Sequence, residues 1–260
     1  MHSSHNLFIV IDLGNSATTY GVYSGAKLKA SGYLQNNNIP KLIGYLHKSG
    51  ALIRSRSVLI SSVVPDLTFK LTKSISRFIS KNRIHRVESI LKGKVLMRYS
   101  RKTLGSDRLV NIYGAVRQYK LPILIADFGT AITFDYISKR GIFEGGLIIS
   151  GIKLSADALA EKTALLPKLR EIKSVHRLVG RNTKEAMYSG LLNGFGALSD
   201  GLIERFRKCY GSKLKVLATG GFAAKIAPYA KRFDYVDPLH TIRSLALIYL
   251  YRNEIENKKN

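Results

Sequence analysis

Two carboxylates, each ending an apolar run and each followed by a glycine turn, carry the most legible chemistry of this chain. Ile123-Leu-Ile-Ala-Asp127-Phe-Gly129-Thr130 opens as a strand and puts Asp127 where the strand ends. Gly129 and Thr130 suit a tight turn that exposes backbone N–H groups and a hydroxyl. Such a turn beside a carboxylate suits a cation and a polyphosphate together: the N–H donors meet the anion, and the carboxylate holds the metal that neutralises it. The same design stands earlier, in Phe8-Ile-Val-Ile-Asp12-Leu13-Gly14-Asn15-Ser16-Ala17-Thr18. Asp12, Gly14 and Thr18 match Asp127, Gly129 and Thr133 at one constant offset, and a hairpin is expected after each copy, over 19–34 and 134–149. Either motif alone also reads as an ordinary turn after a buried strand, because short motifs match by chance. Their shared offset predicts two related half-domains facing each other across a nucleotide cleft.

A third group is Gly105-Ser106-Asp107-Arg108. An Asp beside an Arg offers a base and an anion clamp, the parts that phosphoryl transfer to an alcohol requires. The same residues also read as a helix start, with Asp107 capping a helix over 109–120. Thr219-Gly220-Gly221 follows another strand and suits an adenine and ribose contact, since glycine lets a flat ring approach the backbone; it also reads as a plain strand-to-helix turn. Neither a Walker A pattern nor a G-x-G-x-x-G after a strand is present, so other nucleotide folds lose support.

The elements that must position these residues alternate. Strands are expected over 7–13, 18–23, 28–34, 57–64, 94–99, 123–126, 143–149 and 214–218. Helices are expected from 40 to about 48, with Asn38 as N-cap, and over 66–82, 109–120, 152–161, 184–207, 222–232 and 240–252, with Asn182 or Thr183 capping the long one. This order predicts an α/β fold in two halves, 1–118 and 119–260, with ligand loops at the carboxyl ends of strands.

Of the 260 residues 45% are hydrophobic, enough for one large or two modest cores. No apolar run is long enough to span a bilayer, and Met1-His-Ser-Ser-His leads straight into a strand with no leader pattern, so a cytoplasmic location is expected. A single cysteine, Cys209, excludes an intramolecular disulfide framework and a cysteine-based zinc cluster. The net charge of +25 is spread along the chain in short clusters, which favours anionic ligands and solubility over a dedicated nucleic-acid role.

Asp12-x-Gly-Asn15, Ser62-Val-Val-Pro65, Gly105-x-Asp107-Arg108, Asp127-x-Gly129-Thr130-Ala131-x-Thr133-x-Asp135, Gly145-Gly146 with Gly151, Asn182-Thr183 and Thr219-Gly220-Gly221 occur in this order. Together they resemble the type III pantothenate kinases, of the actin-like and sugar-kinase superfamily, over about 7–250. The resemblance implies duplicated ribonuclease-H-like (actin-like ATPase) halves and transfer of the ATP γ-phosphate to the 4′-hydroxyl of pantothenate, the first step of coenzyme A synthesis. It implies Asp107 as general base, with Tyr99, Gly105, Ser106, Arg108 and Thr183 around pantothenate and Arg108 suited to its carboxylate. Asp12, Leu13, Gly14, Asn15, Ser16, Ala17, Thr18, Thr19 and Thr130 would hold ATP. Asp127 would hold a monovalent cation, K⁺ or NH₄⁺. Mg²⁺ and a homodimer with the pantothenate pocket near its interface are implied as well.

The chain departs from that family at four places. Thr19 stands where a Lys or Arg is usual. Tyr99 lies one residue nearer to Gly105 than in the family's Tyr-x-x-Pro segment, with no proline between. Ser150 replaces the proline before Gly151, and Asp237-Pro-Leu-His-Thr lacks the usual closing Gly-Leu pattern. Two other readings stand beside the kinase. One is a non-catalytic, nucleic-acid-associated transcriptional accessory protein of the same fold, which the basic charge would suit; the other is the same kinase fold acting on another small hydroxy compound.

Overall fold

The computed structural model describes residues 7–91 and 93–252, without the side chain of Asn37. The chain divides into two compact units. One runs to Arg117 and takes back the closing segment from His240; the other is Gln118–Leu239. The closing segment, placed with the second half on sequence grounds, thus packs with the first.

In the first unit β1 (Leu7–Leu13), β2 (Ala17–Ser24) and β3 (Lys27–Gln35) form an antiparallel meander. Helices α1 (Ile39–Lys48) and α2 (Ala51–Arg54) lead to β4 (Ser57–Ser62), which pairs parallel to β1. Helix α3 (Pro65–Ile75) precedes β5 (Ile84–Arg86), parallel to β4, then α4 (Val87–Ile90) and α5 (Ser106–Gln118). The sheet order is β3-β2-β1-β4-β5. Strand β1 reads as a near-continuous apolar run and β4 is buried at every position, because central strands are covered on both faces. Leu42 and Leu46 of α1 and Leu71 and Ile75 of α3 bury one face, packing against Ile9, Ile11, Leu13, Val58 and Ile60.

In the second unit β6 (Ile123–Phe128), β7 (Ala131–Ile137) and β8 (Phe143–Ser150) repeat the meander. Helices α6 (Ile152–Lys162) and α7 (Thr183–Tyr210) lead to β9 (Lys215–Thr219), parallel to β6; α8 (Ala223–Ile226) precedes β10 (Tyr235–Val236), parallel to β9. The order β10-β9-β6-β7-β8 is the first sheet again, read in the opposite direction. Its core joins Leu124, Ala126 and Phe134 of the sheet to Ile152 of α6 and Leu191, Leu192 and Ile203 of α7. Helix α9 (His240–Leu250) then returns to the first sheet, where it packs on β1, β2 and β4. Gly21 permits this: a Cβ there would lie 2.6 Å from Ile242 Cγ2.

The duplicated topology supports the internal repeat, but the constant offset does not hold at the threonines. Three residues separate β1 from β2, and two separate β6 from β7. Asp12 therefore pairs with Thr19, whereas Asp127 pairs with Thr133, so Thr19 and not Thr18 is the counterpart of Thr133. Three element expectations also change. Helix α3 stops at Ile75, where Ser76 Oγ turns back to donate to the Lys73 carbonyl at 2.9 Å. Helix α8 stops at Ile226, because Pro228 cannot continue an α-helix. Residues 94–99 form no strand; the Val95 carbonyl accepts from the Arg101 guanidinium instead of from a ladder partner.

Candidate active site

Asp12 is the last acidic position of β1, and the two neighbouring strands put hydroxyl residues on either side of it. Thr19 of β2 and Ser61 of β4 are its cross-strand partners. The turn that follows is built to hold shape. Gly14 N–H donates to the Ala17 carbonyl at 3.0 Å, and the Asn36 side-chain amide donates to the Gly14 and Asn15 carbonyls at 2.8 and 2.9 Å. Thr18, buried on the far side of β2 from Thr19, donates to Asn36 Oδ1 at 2.9 Å and so orients that amide. Leu13 is wholly buried and offers its backbone alone. Asn15 and Ser16 are the exposed residues of the turn.

Asp107 reaches this place through Ser106. Helix α5 starts at Ser106, three residues earlier than expected, so Asp107 lies inside the first turn and is not its cap. Ser106 is buried. Its hydroxyl donates to the Ser62 carbonyl at 2.9 Å, accepts from Ser62 N–H at 3.0 Å and lies 3.3 Å from Ser61 Oγ. Ser61 and Ser62 pair with Asp12 and Leu13, so the start of α5 is fixed beside the end of β1. Asp12 senses the charge of Asp107. Burial, then repulsion from Asp107, raises Asp12 to about 7, against a smaller opposing effect of a hydrogen bond from Ser61. Burial raises Asp107 as well, opposed by the Arg108 N–H that donates to its Oδ1 at 2.7 Å and by the Arg108 charge. Asp12 Oδ1 is buried with no hydrogen-bond donor, a costly state for a carboxylate oxygen and one that a cation relieves.

Arg108 is buried, and its guanidinium lies 5.2 Å from the Tyr99 ring centroid. Tyr99, despite its shifted place in the sequence, therefore meets Arg108. Gly105 leaves room for the Asp107 carboxylate to fold back: a Cβ there would collide with Asp107 Oδ1 and lie 3.3 Å from Val63 Cγ1. Gly105, Ser106, Asp107, Arg108 and Tyr99 thus share one corner of the first unit with Asp12 and Thr19.

The second unit repeats the carboxylate between two hydroxyl residues: Asp127 pairs with Thr133 of β7 and Thr219 of β9. Thr219 Oγ1 is buried with no hydrogen-bond partner. Gly220, at φ +88°, passes directly over Asp127 and Phe128; a Cβ would clash with Asp127 Oδ1 and lie 2.8 Å from Phe128 N. Asp135 is buried and accepts from Thr133 Oγ1 at 3.1 Å, and a Cβ at Gly146 would lie 2.7 Å from its Oδ1. The exposed Thr130 follows Gly129, and its carbonyl accepts from Gly151 N–H at 3.0 Å. Asn182 caps α7 by accepting from Glu185 N–H at 3.0 Å, which leaves Thr183 exposed at the first helical position. Sequence reasoning passed over Ser61, Asn36 and the Thr219 hydroxyl. Only Asn36, in an asparagine run after a strand, carries a local signal.

Among the described residues no group of three or more His, Cys, Asp and Glu forms a metal cage. A metal here would take one or two carboxylates and complete its shell elsewhere, as Mg²⁺ does with nucleotide phosphates.

Two like-built α/β units, each ending its central strand in an acidic residue and a glycine turn, define an actin-like ATPase fold. Solved structures agree on the fold. A putative Baf family transcriptional activator from Campylobacter jejuni matches with TM-score 0.58 at 18% identity, covering 96% of this chain and 99% of that one. An activator of 2-hydroxyisocaproyl-CoA dehydratase from Clostridium difficile, with bound ADPNP, matches with TM-score 0.56 at 12% identity, covering 97% of each. The chain belongs to the type III pantothenate kinase family, whose sequence model matches residues 8–205. A type III pantothenate kinase of Desulforapulum autotrophicum is 33% identical over 252 residues, covering 93% of this chain and 96% of that protein.

Proposed function

We propose that Asp12 and Asp107 serve the reaction of this family, ATP-dependent phosphorylation of pantothenate to 4′-phosphopantothenate, the first step of coenzyme A synthesis. The observation that carries the assignment is the pair itself: two carboxyls close enough to repel, one with a buried oxygen lacking any donor. Asp107 is the base that orients the 4′-hydroxyl and accepts its proton as the bond to phosphorus forms. Its raised proton affinity brings it nearer to the alcohol's need than an exposed carboxylate would be. Asp12 would hold Mg²⁺, which when bound supplies charge neutralisation on the phosphates. Arg108, fixed against Tyr99, clamps the pantothenate carboxylate, with Gly105 and Ser106 shaping that wall and Thr183 a further contact. The backbone and side chains of Gly14 to Thr19 take ATP.

Asp127 is the proposed seat of the monovalent cation, K⁺ or NH₄⁺. Its place between Thr133 and Thr219, whose hydroxyl oxygen has no hydrogen-bond partner, supports this. A homodimer is supported by the apolar residues that β8 and α6 leave exposed, Leu147, Ile148, Leu154 and Leu159. A cytoplasmic location accords with coenzyme A synthesis; among the described residues no helix is long and apolar enough to cross a membrane. The transcriptional reading is not favoured, since the likeness to the putative activator is one of fold.

The test is ADP release with Mg²⁺, with and without pantothenate, in potassium and in sodium, on wild type and Asp107→Asn. Release that requires pantothenate and is lost in the variant supports the assignment. Release indifferent to pantothenate in every buffer sinks it.

A further inference from the structure

A cavity of about 470 Å³ opens at the far end of the first sheet from Asp12. Phe8 and Ser57, paired at the starts of β1 and β4, lie in its wall. Asp12 and Ser61 lie four residues further along the same ladder, roughly 13 Å away at the rise of a strand. Three arginines line the cavity, Arg56, Arg83 and Arg252, and among the described residues no acidic one does. None of the three has an acidic partner among the described residues. Three guanidinium groups around one void repel each other unless an anion sits among them.

Two of these groups are held in place. Arg83 donates through Nε to the Arg56 carbonyl at 2.5 Å and through Nη2 to the Ser55 carbonyl, leaving Nη1 to donate elsewhere. Arg252 donates through Nη1 to the Tyr249 carbonyl at 2.7 Å, and its guanidinium lies 4.0 Å from the Tyr249 ring centroid. Phe8 stacks on the same tyrosine with centroids 4.0 Å apart. Fixed guanidinium forks suit phosphate oxygens, and little ordering remains to be done on binding. The aromatic residues of the wall are engaged with each other and with Arg252. They offer no open platform for a stacked base, which argues against single-stranded nucleic acid.

We propose that this cavity binds a compact phosphate-bearing anion, pyrophosphate or the diphosphate moiety of a small metabolite, at a site separate from the catalytic corner. The test uses the full chain in Mg²⁺-free buffer, with calorimetric titration of inorganic pyrophosphate, ADP and inorganic phosphate. Variants are Arg56→Gln, Arg252→Gln and their double. Arg56 is exposed and bonds Arg83 through its carbonyl, so its side chain can be changed without breaking that contact.

The proposal expects pyrophosphate affinity to fall roughly tenfold or more in each single variant, the loss of one charge-assisted contact, with the KM for ATP unchanged. Arg56→Lys should recover part of the loss. ADP binding more tightly than pyrophosphate in the same arginine-dependent way would make a nucleoside diphosphate the source; the reverse order would make it the inorganic ion. Pyrophosphate binding equally to wild type and the double variant overturns the site, and so does arginine-dependent binding of duplex or single-stranded DNA with none of pyrophosphate. Loss of kinase activity against pantothenate would leave these titrations unaffected, so the two proposals fail separately.

Discussion

Ser106 Oγ donates to the Ser62 carbonyl at 2.9 Å and accepts from its N–H at 3.0 Å, joining the first turn of α5 to the end of β4. Asp107 is the next residue, so one buried hydroxyl sets where the proposed base stands. Ser106→Ala removes a partner from two buried backbone groups and should cost about 1–3 kcal/mol, read by urea unfolding. It should also lower kcat more than it raises the KM for pantothenate, because a displaced base loses alignment while the substrate wall remains. Unchanged kcat with the stability loss would make Ser106 purely structural.

Asp107→Asn keeps the shape and removes the proton acceptor. Turnover should fall about 10²–10⁴-fold, the usual contribution of a positioned base, with ATP binding retained. Because burial raises Asp107, the acid limb of the wild-type rate profile should lie above the ordinary carboxylate range. A limb near the value of an exposed Asp would contradict the buried setting.

The proton on Asp12 gives a stability signature. Its unfolded value is 3.8 and its folded value about 7, so between these pH values the folded chain holds a proton that the unfolded chain has released. Stability from this group is therefore complete below about 4 and is lost as pH rises to about 7, with a slope of at most about 1.4 kcal/mol per pH unit. Asp12→Asn should flatten that slope and stabilise the metal-free protein at pH 8. Mg²⁺ should raise the melting temperature of wild type more at pH 8 than at pH 5, and of the variant at neither. An equal slope in both proteins would show that Asp12 is not the titrating group.

Gly220→Ala should be among the most damaging single-methyl changes in the second unit. The position has φ +88° and the new Cβ would meet the backbone of Phe128 at 2.8 Å. The conformational strain alone is worth about 1–3 kcal/mol. Thermal unfolding should show the loss, whereas Gly201→Ala, on the open face of α7, should be neutral or slightly stabilising.

The strands were legible because their cause is local: central β-strands covered on both faces must be apolar throughout, as 123–126 and 58–60 are. The capping of α7 was legible only to within two residues, Asn182 or Thr183, and the bond from Glu185 N–H selects Asn182. Helix ends were less legible. The helices expected over 222–232 and 66–82 run through Pro228 and past Ser76, although a single residue ends each.

By itself the sequence determined the paired Asp-x-Gly turns, the family motifs and the duplicated order of elements, all of which are written in residue type and spacing. Tertiary structure decided which threonine faces which aspartate. A turn shorter by one residue shifts the β6–β7 register, and in a ladder of period two such a shift exchanges the faces. It also decided that Asp12 and Asp107 share a corner, where the Asp107 charge raises the proton affinity of Asp12. Their positions in the chain carry no trace of this, because the link runs through a parallel strand and a buried serine hydroxyl. Repulsion and burial depend on distance in space, and that distance exists only once β4 has paired with β1 and α5 has docked on β4.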